Sequence, residues 1–152
     1  MLPATTRRVT EHTPPHINEM IRCRTEERVA RVAAEGPEAI DRRLQELDRE
    51  WDVERALEAN AASISLAGFA LGIFSDRRFL ALPAIVAGFL LQHALQGWCP
   101  PVPVMRRLGF RTQTEIEQER YALKLLRGDF KEVASPDKNI APGQSEVLRA
   151  VR

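Results

Sequence analysis

Two stretches decide how this chain folds: residues 59–75, ANAASISLAGFALGIFS, and residues 79–105, FLALPAIVAGFLLQHALQGWCPPVPVM, neither of which contains Asp, Glu, Lys or Arg. Asp76, Arg77 and Arg78 stand between them. A helix rises about 1.5 Å per residue, so roughly 17 to 20 residues cross most of the hydrocarbon core of a bilayer. Both runs meet that length, the first by a narrow margin. An interruption this short forces the two helices to be antiparallel neighbours. The expected fold is therefore all-α: a membrane protein built on a two-helix transmembrane hairpin over residues 59–105, with amphipathic cytoplasmic helices on either side.

Whole-chain averages conceal this segregation. The 152 residues have a mean hydropathy of -0.28 and 28% charged side chains, values that suit an ordinary soluble helical protein. The formal net charge of +1 provides no basic field to draw the chain onto nucleic acid, so no nucleic-acid partner is expected. Cys23 and Cys99 sit far apart in unlike surroundings and do not outline a disulfide framework. The opening MLPATTRRVTEHTPPH has no apolar core and no small-residue cleavage site, so it does not read as a secretory signal. The first apolar run is internal and would act as an uncleaved insertion signal.

Within the hairpin, small residues mark where helices approach. Gly68 and Gly72 form a G-x-x-x-G, and Ala84 with Gly88 forms a second small-x-x-x-small pair; all four are expected at helix-packing surfaces. Pro83 falls in the first turns of the second helix, where its missing N–H is tolerated. That helix should stop at Gly97, ahead of Pro100, Pro101 and Pro103. Trp98 and Trp51 suit the headgroup level. Basic residues near the ends set orientation: Arg42, Arg43, Arg49, Arg55, Arg106, Arg107 and Arg111 lie on the side of the termini, against Arg77 and Arg78 at the tip. Both termini are then cytoplasmic.

Outward from the hairpin, residues 1–24 hold Pro3, Pro14 and Pro15 without a sustained period and read as an extended arm, with a short helical piece beginning near Pro15. Residues 25–58 read as an amphipathic helical segment interrupted at Gly36-Pro37, where Gly suits a helix end and Pro a helix start. From Pro37 onward, Ile40, Leu44, Leu47 and Trp51 recur at steps of four, three and four. No breaker separates this helix from the apolar block. Residues 106–130 contain a third amphipathic helix, with a capping box from Thr114 to Glu117, an apolar face of Ile116, Leu123 and Leu126, and a stop at Gly128. The stripe of Ile40, Leu44, Leu47, Trp51, Ile116, Leu123 and Leu126 needs a partner, which a membrane surface, another helix of the chain or a second subunit would supply. Residues 131–152 read as a mobile tail, with a frayed helix over residues 144–151.

Chemistry-bearing residues are few. Cys99, at a helix end beside Pro100, is either a buried structural thiol or a group that ligates haem iron, carries a persulfide or is oxidised, its thiolate favoured by Arg106 and Arg107. His93 either reaches the headgroups, hydrogen-bonds the first helix at Ser63 or Asn60, or pairs with a second copy to hold haem or a metal. His12 and His16, split by two prolines, lack the spacing of a metal site. Glu and Arg alternate over residues 41–58 as in a solvated helix face. No phosphate loop, hydrolase triad or other catalytic set is present in the sequence. No cofactor, no metal and no enzymatic activity are expected.

The run of a helix pair followed by Gly97-Trp98-Cys99-Pro100, then Leu108-Gly109 and Thr112, resembles the YgaP-like transmembrane domain family over residues 56–112. The resemblance implies a small bacterial inner-membrane module with both termini cytoplasmic, associating through its helices. Relatives carry the module alone or after a rhodanese domain, and this chain has no room for the latter. Pro101, Pro103 and the Arg106-Arg107 pair, inserted between Cys-Pro and Leu-Gly, depart from the family pattern. The functional expectation is a membrane anchor, accessory or assembly subunit. Its partners would be the lipid bilayer and either another membrane protein or complex, or a homo-oligomer. A redox, sulfur-handling or haem-binding role for Cys99 and His93 is the alternative. A third reading makes the apolar runs the buried core of a soluble protein.

Overall fold

The computed structural model describes residues 4–130, and within them the chain is helical and contains no strand. Seven helices follow one another: α1 (Arg8–Glu11), α2 (Pro15–Glu35), α3 (Pro37–Leu47), α4 (Val53–Phe74), α5 (Ala81–Gln96), α6 (Val102–Leu108) and α7 (Gln113–Arg127). The stretch read as a mobile tail, residues 131–152, lies outside the described residues. The described residues form two compact units, one from residues 4–22 with 51–114, the other from residues 23–50 with 115–130.

Three local results differ from the sequence reading. The helical piece expected to begin near Pro15 does begin there, but it is not short: it runs on as the 21 residues of α2, with Pro15 at the first helical position, where its fixed φ and absent N–H cost nothing. Ile17 and Ile21, one turn apart, are buried on one face. The helix expected to run unbroken from Pro37 into the apolar block is two helices. α3 ends at Leu47, and Asp52 starts α4 afresh, its carboxylate accepting the Arg55 backbone N–H at 2.7 Å. Third, the proline-rich segment after Cys99 makes a short helix, α6, since both Pro101 and Pro103 fall at its N-terminal edge.

In the first unit α4 packs on α5, the two linked through a 3₁₀ turn over Arg77–Leu80. Gly68 and Gly72 are buried at this contact. A Cβ on Gly68 would stand 2.8 Å from Pro83 Cδ, and one on Gly72 would meet the Leu80 side chain. Ala84 and Gly88 lie on the other side of α5; both are exposed, and Gly88 has open space around it. The second small-residue pair is thus not used between α4 and α5. Away from their contact the two helices present Leu66, Ile73, Phe74, Ile85, Leu91 and Leu95 to the outside, with Phe74 88% exposed. Buried side chains of this unit collect instead at its other end, where Val9, Val53, Leu57, Cys99 and Val102 form one cluster.

The second unit has a conventional core. Ile40, Leu44 and Leu47 of α3 pack with Ile116 and Leu123 of α7 and Val32 of α2. Of the partners open to the stripe, other helices of the chain cover most of it, with Trp51 and Leu126 left exposed. Around this core runs an ion-pair lattice. Glu119, fully buried, accepts from Arg43 Nε at 2.7 Å and from Arg28 at 3.1 Å. Burial opposes the charge on Arg43, yet the hydrogen bonds it donates to Glu119 and Glu46 and the charges of Glu119 and Glu50 outweigh it and raise its pKa. Arg127 bridges Asp41 and Asp129, and the Arg127 guanidinium holds the Asp129 carboxyl below the usual carboxylate range.

Two mutational outcomes follow from this packing. Relative to Gly88→Ala, which adds a methyl into open space, Gly68→Ala should lower stability by about 1–3 kcal/mol through overpacking against Pro83. Thermal unfolding of detergent-purified protein followed by circular dichroism makes the comparison, and equal midpoints would contradict the α4–α5 contact described. In the second unit, Leu123→Ala empties a fully buried site and should cost about 2–5 kcal/mol by the same measurement.

Candidate functional site

The polar groups that the first unit buries converge at the end where α4 begins and α5 stops. Asp52 fixes the first turn of α4 and so places Glu54 there. On α5, His93 lies in the last turn. The helix closes on Gly97, whose positive φ of 78° suits a residue without a Cβ, and whose N–H donates to His93 O at 2.7 Å. His93 is buried, and its Nε2 lies 2.6 Å from Glu54 Oε2, which puts the ring proton on that nitrogen, donating to the carboxylate. Arg8 of α1 donates to the other carboxylate oxygen at 3.1 Å and to the Ala94 carbonyl at 3.5 Å. Glu54 is thus held between an imidazole and a guanidinium. Two atoms of the group, His93 Nδ1 and Arg8 Nε, are buried without a hydrogen-bond partner.

A second polar tie lies nearby in the same unit. Arg106, on α6, has no exposed surface; it donates to the Phe110 carbonyl at 3.0 Å and to Asn18 Oδ1 at 2.9 Å. Asn18 in turn donates to the Thr10 carbonyl at 2.9 Å. The Val53 N–H, at the head of α4, donates to Arg111 O at 2.8 Å. These bonds tie α1 and the start of α2 to α6, and the segment after α6 to the head of α4. Trp51, at this same end, is half-exposed and stacks under Arg55, whose guanidinium carbon lies 4.6 Å from the ring centroid.

Set against the sequence reading, the structure relocates each candidate. His93 bonds neither Ser63, whose hydroxyl donates to Ala59 O, nor Asn60, which is exposed; its partner is Glu54, 39 residues away. Glu54 and Arg8 were missed because both read as ordinary charges of solvated segments. The available signal was a carboxylate shortly before the first apolar run and a histidine one turn before the Gly97 stop, which antiparallel helices bring to the same level. Cys99 is buried, and burial pushes its thiol pKa up, opposite to the thiolate expected from Arg106 and Arg107. Arg106 is committed to Phe110 and Asn18, and Arg107 points to the exterior. Among the described residues no group of three or more His, Cys, Asp or Glu side chains is placed to hold a metal.

No family model, curated protein or solved structure matches this chain. Its function has to be argued from these residues.

Removal of Glu54 should leave His93 Nε2 without an acceptor and Arg8 with the Ala94 carbonyl, in a largely buried site. Glu54→Ala is expected to cost about 1–3 kcal/mol, reduced by the part of the side chain that reaches solvent. Arg106→Ala, which leaves two part-buried acceptors short of a donor and empties a fully buried site, should cost roughly 3 kcal/mol or more. Unfolding midpoints in one detergent test both, and an Arg106→Ala midpoint equal to that of the parent would contradict the arrangement.

Proposed function

We propose that this chain is a small integral protein of a bacterial cytoplasmic membrane, a two-helix hairpin with both termini in the cytoplasm, acting without catalysis as an anchor or accessory subunit. One observation carries the membrane assignment. α4 and the segment Arg77–Gln96 are long and apolar enough to span, and only 22% and 11% of their apolar windows are buried within the chain. The core helix of a soluble protein is covered by its own chain. Here Phe74, Ile73, Leu66 and Leu91 face outward on helices whose backbone bonds are satisfied internally, which suits lipid and is costly in water. The same exposure favours the membrane reading over the soluble-core one.

Orientation rests on the arginine balance, with Arg106, Arg107, Arg111 and the α3 arginines on one side and Arg77 and Arg78 on the other. The resemblance to the YgaP-like transmembrane domain, through Cys99-Pro100, Leu108-Gly109 and Thr112, agrees with this placement. The role as anchor or accessory subunit is favoured over haem or redox chemistry because the Cys99 thiol is buried and His93 Nε2 is occupied by Glu54. Docking, to another membrane protein or to a second copy, falls to surfaces the chain leaves open. Those are the outer faces of α4 and α5, Ala84 and Gly88 among them, because Ile40, Leu44, Leu47, Ile116 and Leu123 are spent on the second unit's own core.

Native mass spectrometry of the full chain extracted in a mild detergent tests the docking role. A dimer or a stoichiometric membrane partner is expected, and Gly88→Leu should weaken its recovery while leaving the unfolding midpoint in place. Monomer alone, from cells that make the protein at its natural level, would overturn the reading.

A further inference from the structure

Residues 4–13 make a second crossing of the site. Arg8 lies over the Glu54–His93 pair and the last carbonyls of α5, and Val9, the next residue, is buried in the cluster that contains Cys99. Gly97 admits this crossing because it has no side chain; a Cβ there would collide with the Arg8 backbone. The far end of the segment is tied separately. Thr13 Oγ1 donates to the Val9 carbonyl at 2.8 Å, and Asn18 donates to Thr10 O while accepting from buried Arg106. α1 itself is four residues long and makes too few internal bonds to hold its place alone. Its hold on the site therefore depends on two neighbouring side chains, one charged and one apolar, while Asn18 ties its far end.

We propose that residues 4–13 are a strap that seals Cys99 and His93 from the cytoplasm, latched by Arg8 on Glu54 and pivoting on the Asn18–Arg106 anchor when the latch releases. In the closed state the thiol is covered and the imidazole is engaged on one nitrogen, with Nδ1 enclosed and unpartnered. Swinging the strap away uncovers both groups at once without disturbing α4, α5 or their contact. Any agent that binds the uncovered thiol or imidazole then displaces α1, and anything that holds α1 down excludes that agent, the two being linked by one equilibrium. This device goes beyond the anchor role and does not depend on which partner the helices dock.

Thiol labelling reads the strap directly. The full chain with Cys23→Ser, in native membrane vesicles open to the reagent on both faces, is treated with a water-soluble maleimide, and modification of Cys99 is followed by mass. When opening and closing are fast, the rate reports the open fraction. Closed protein should label slowly. Arg8→Ala and Val9→Ser should each accelerate labelling about tenfold or more, the factor that corresponds to roughly 1.4 kcal/mol. Arg7→Ala, on the exposed neighbour, should change nothing, and Arg8→Lys should restore part of the protection. Ile116→Ala, which weakens the second unit, should not accelerate Cys99 labelling. Rates in Arg8→Ala and Val9→Ser equal to that of the parent, or an equal acceleration by Ile116→Ala, would overturn the strap.

Discussion

Two helices that are apolar over most of their length, and that the chain itself scarcely covers, set the terms for everything else in this protein. Helical backbone satisfies its own hydrogen bonds, so such a pair is at ease in lipid, and its outward side chains need no protein partner there. The pair is held by close approach: Gly68 and Gly72 let Pro83, Leu82 and Leu80 come within contact distance. Close van der Waals contact of this kind is a main source of association wherever helices are surrounded by lipid. Polar groups must then gather at the ends, and they do. Glu54, His93 and Arg8 compensate one another at the level where α4 begins and α5 stops, and Arg106 is buried with backbone and amide acceptors.

The second unit follows a different rule. Its apolar surface is confined to stripes, and the stripes of α3 and α7 meet each other and α2. A fully buried carboxylate, Glu119, lies between Arg28 and Arg43, so the ring of charge around the core is directional as well as soluble. Breaking such a buried set by removing one member is costly, which ties the register of α7 to that of α2 and α3.

Much of this was legible in the sequence, in proportion to how local each signal was. The apolar runs, the stop at Gly97, the start at Pro37 and the α7 stripe all rest on neighbours within a turn or two. Gly68 and Gly72 were legible as packing residues, and their burial agrees; Ala84 and Gly88 carry the same pattern yet face outward, because spacing alone does not say which side of a helix meets its partner. The Asp52 cap was hidden inside an uninterrupted run of good helix formers, which is why α3 and α4 read as one. Prolines 101 and 103 read as breakers, although at a helix N-terminus they are initiators. The least legible feature was the site itself. Arg8, Glu54 and His93 are separated by 46 and 39 residues, and each looks unremarkable until the chain brings them together.

The account rests on lipid being the environment of α4 and α5. Alkaline carbonate extraction of membranes from cells expressing the full chain measures this directly, because it strips peripheral and soluble proteins and leaves spanning helices in the bilayer. The account predicts that the protein stays in the membrane pellet. Release into the supernatant would contradict it.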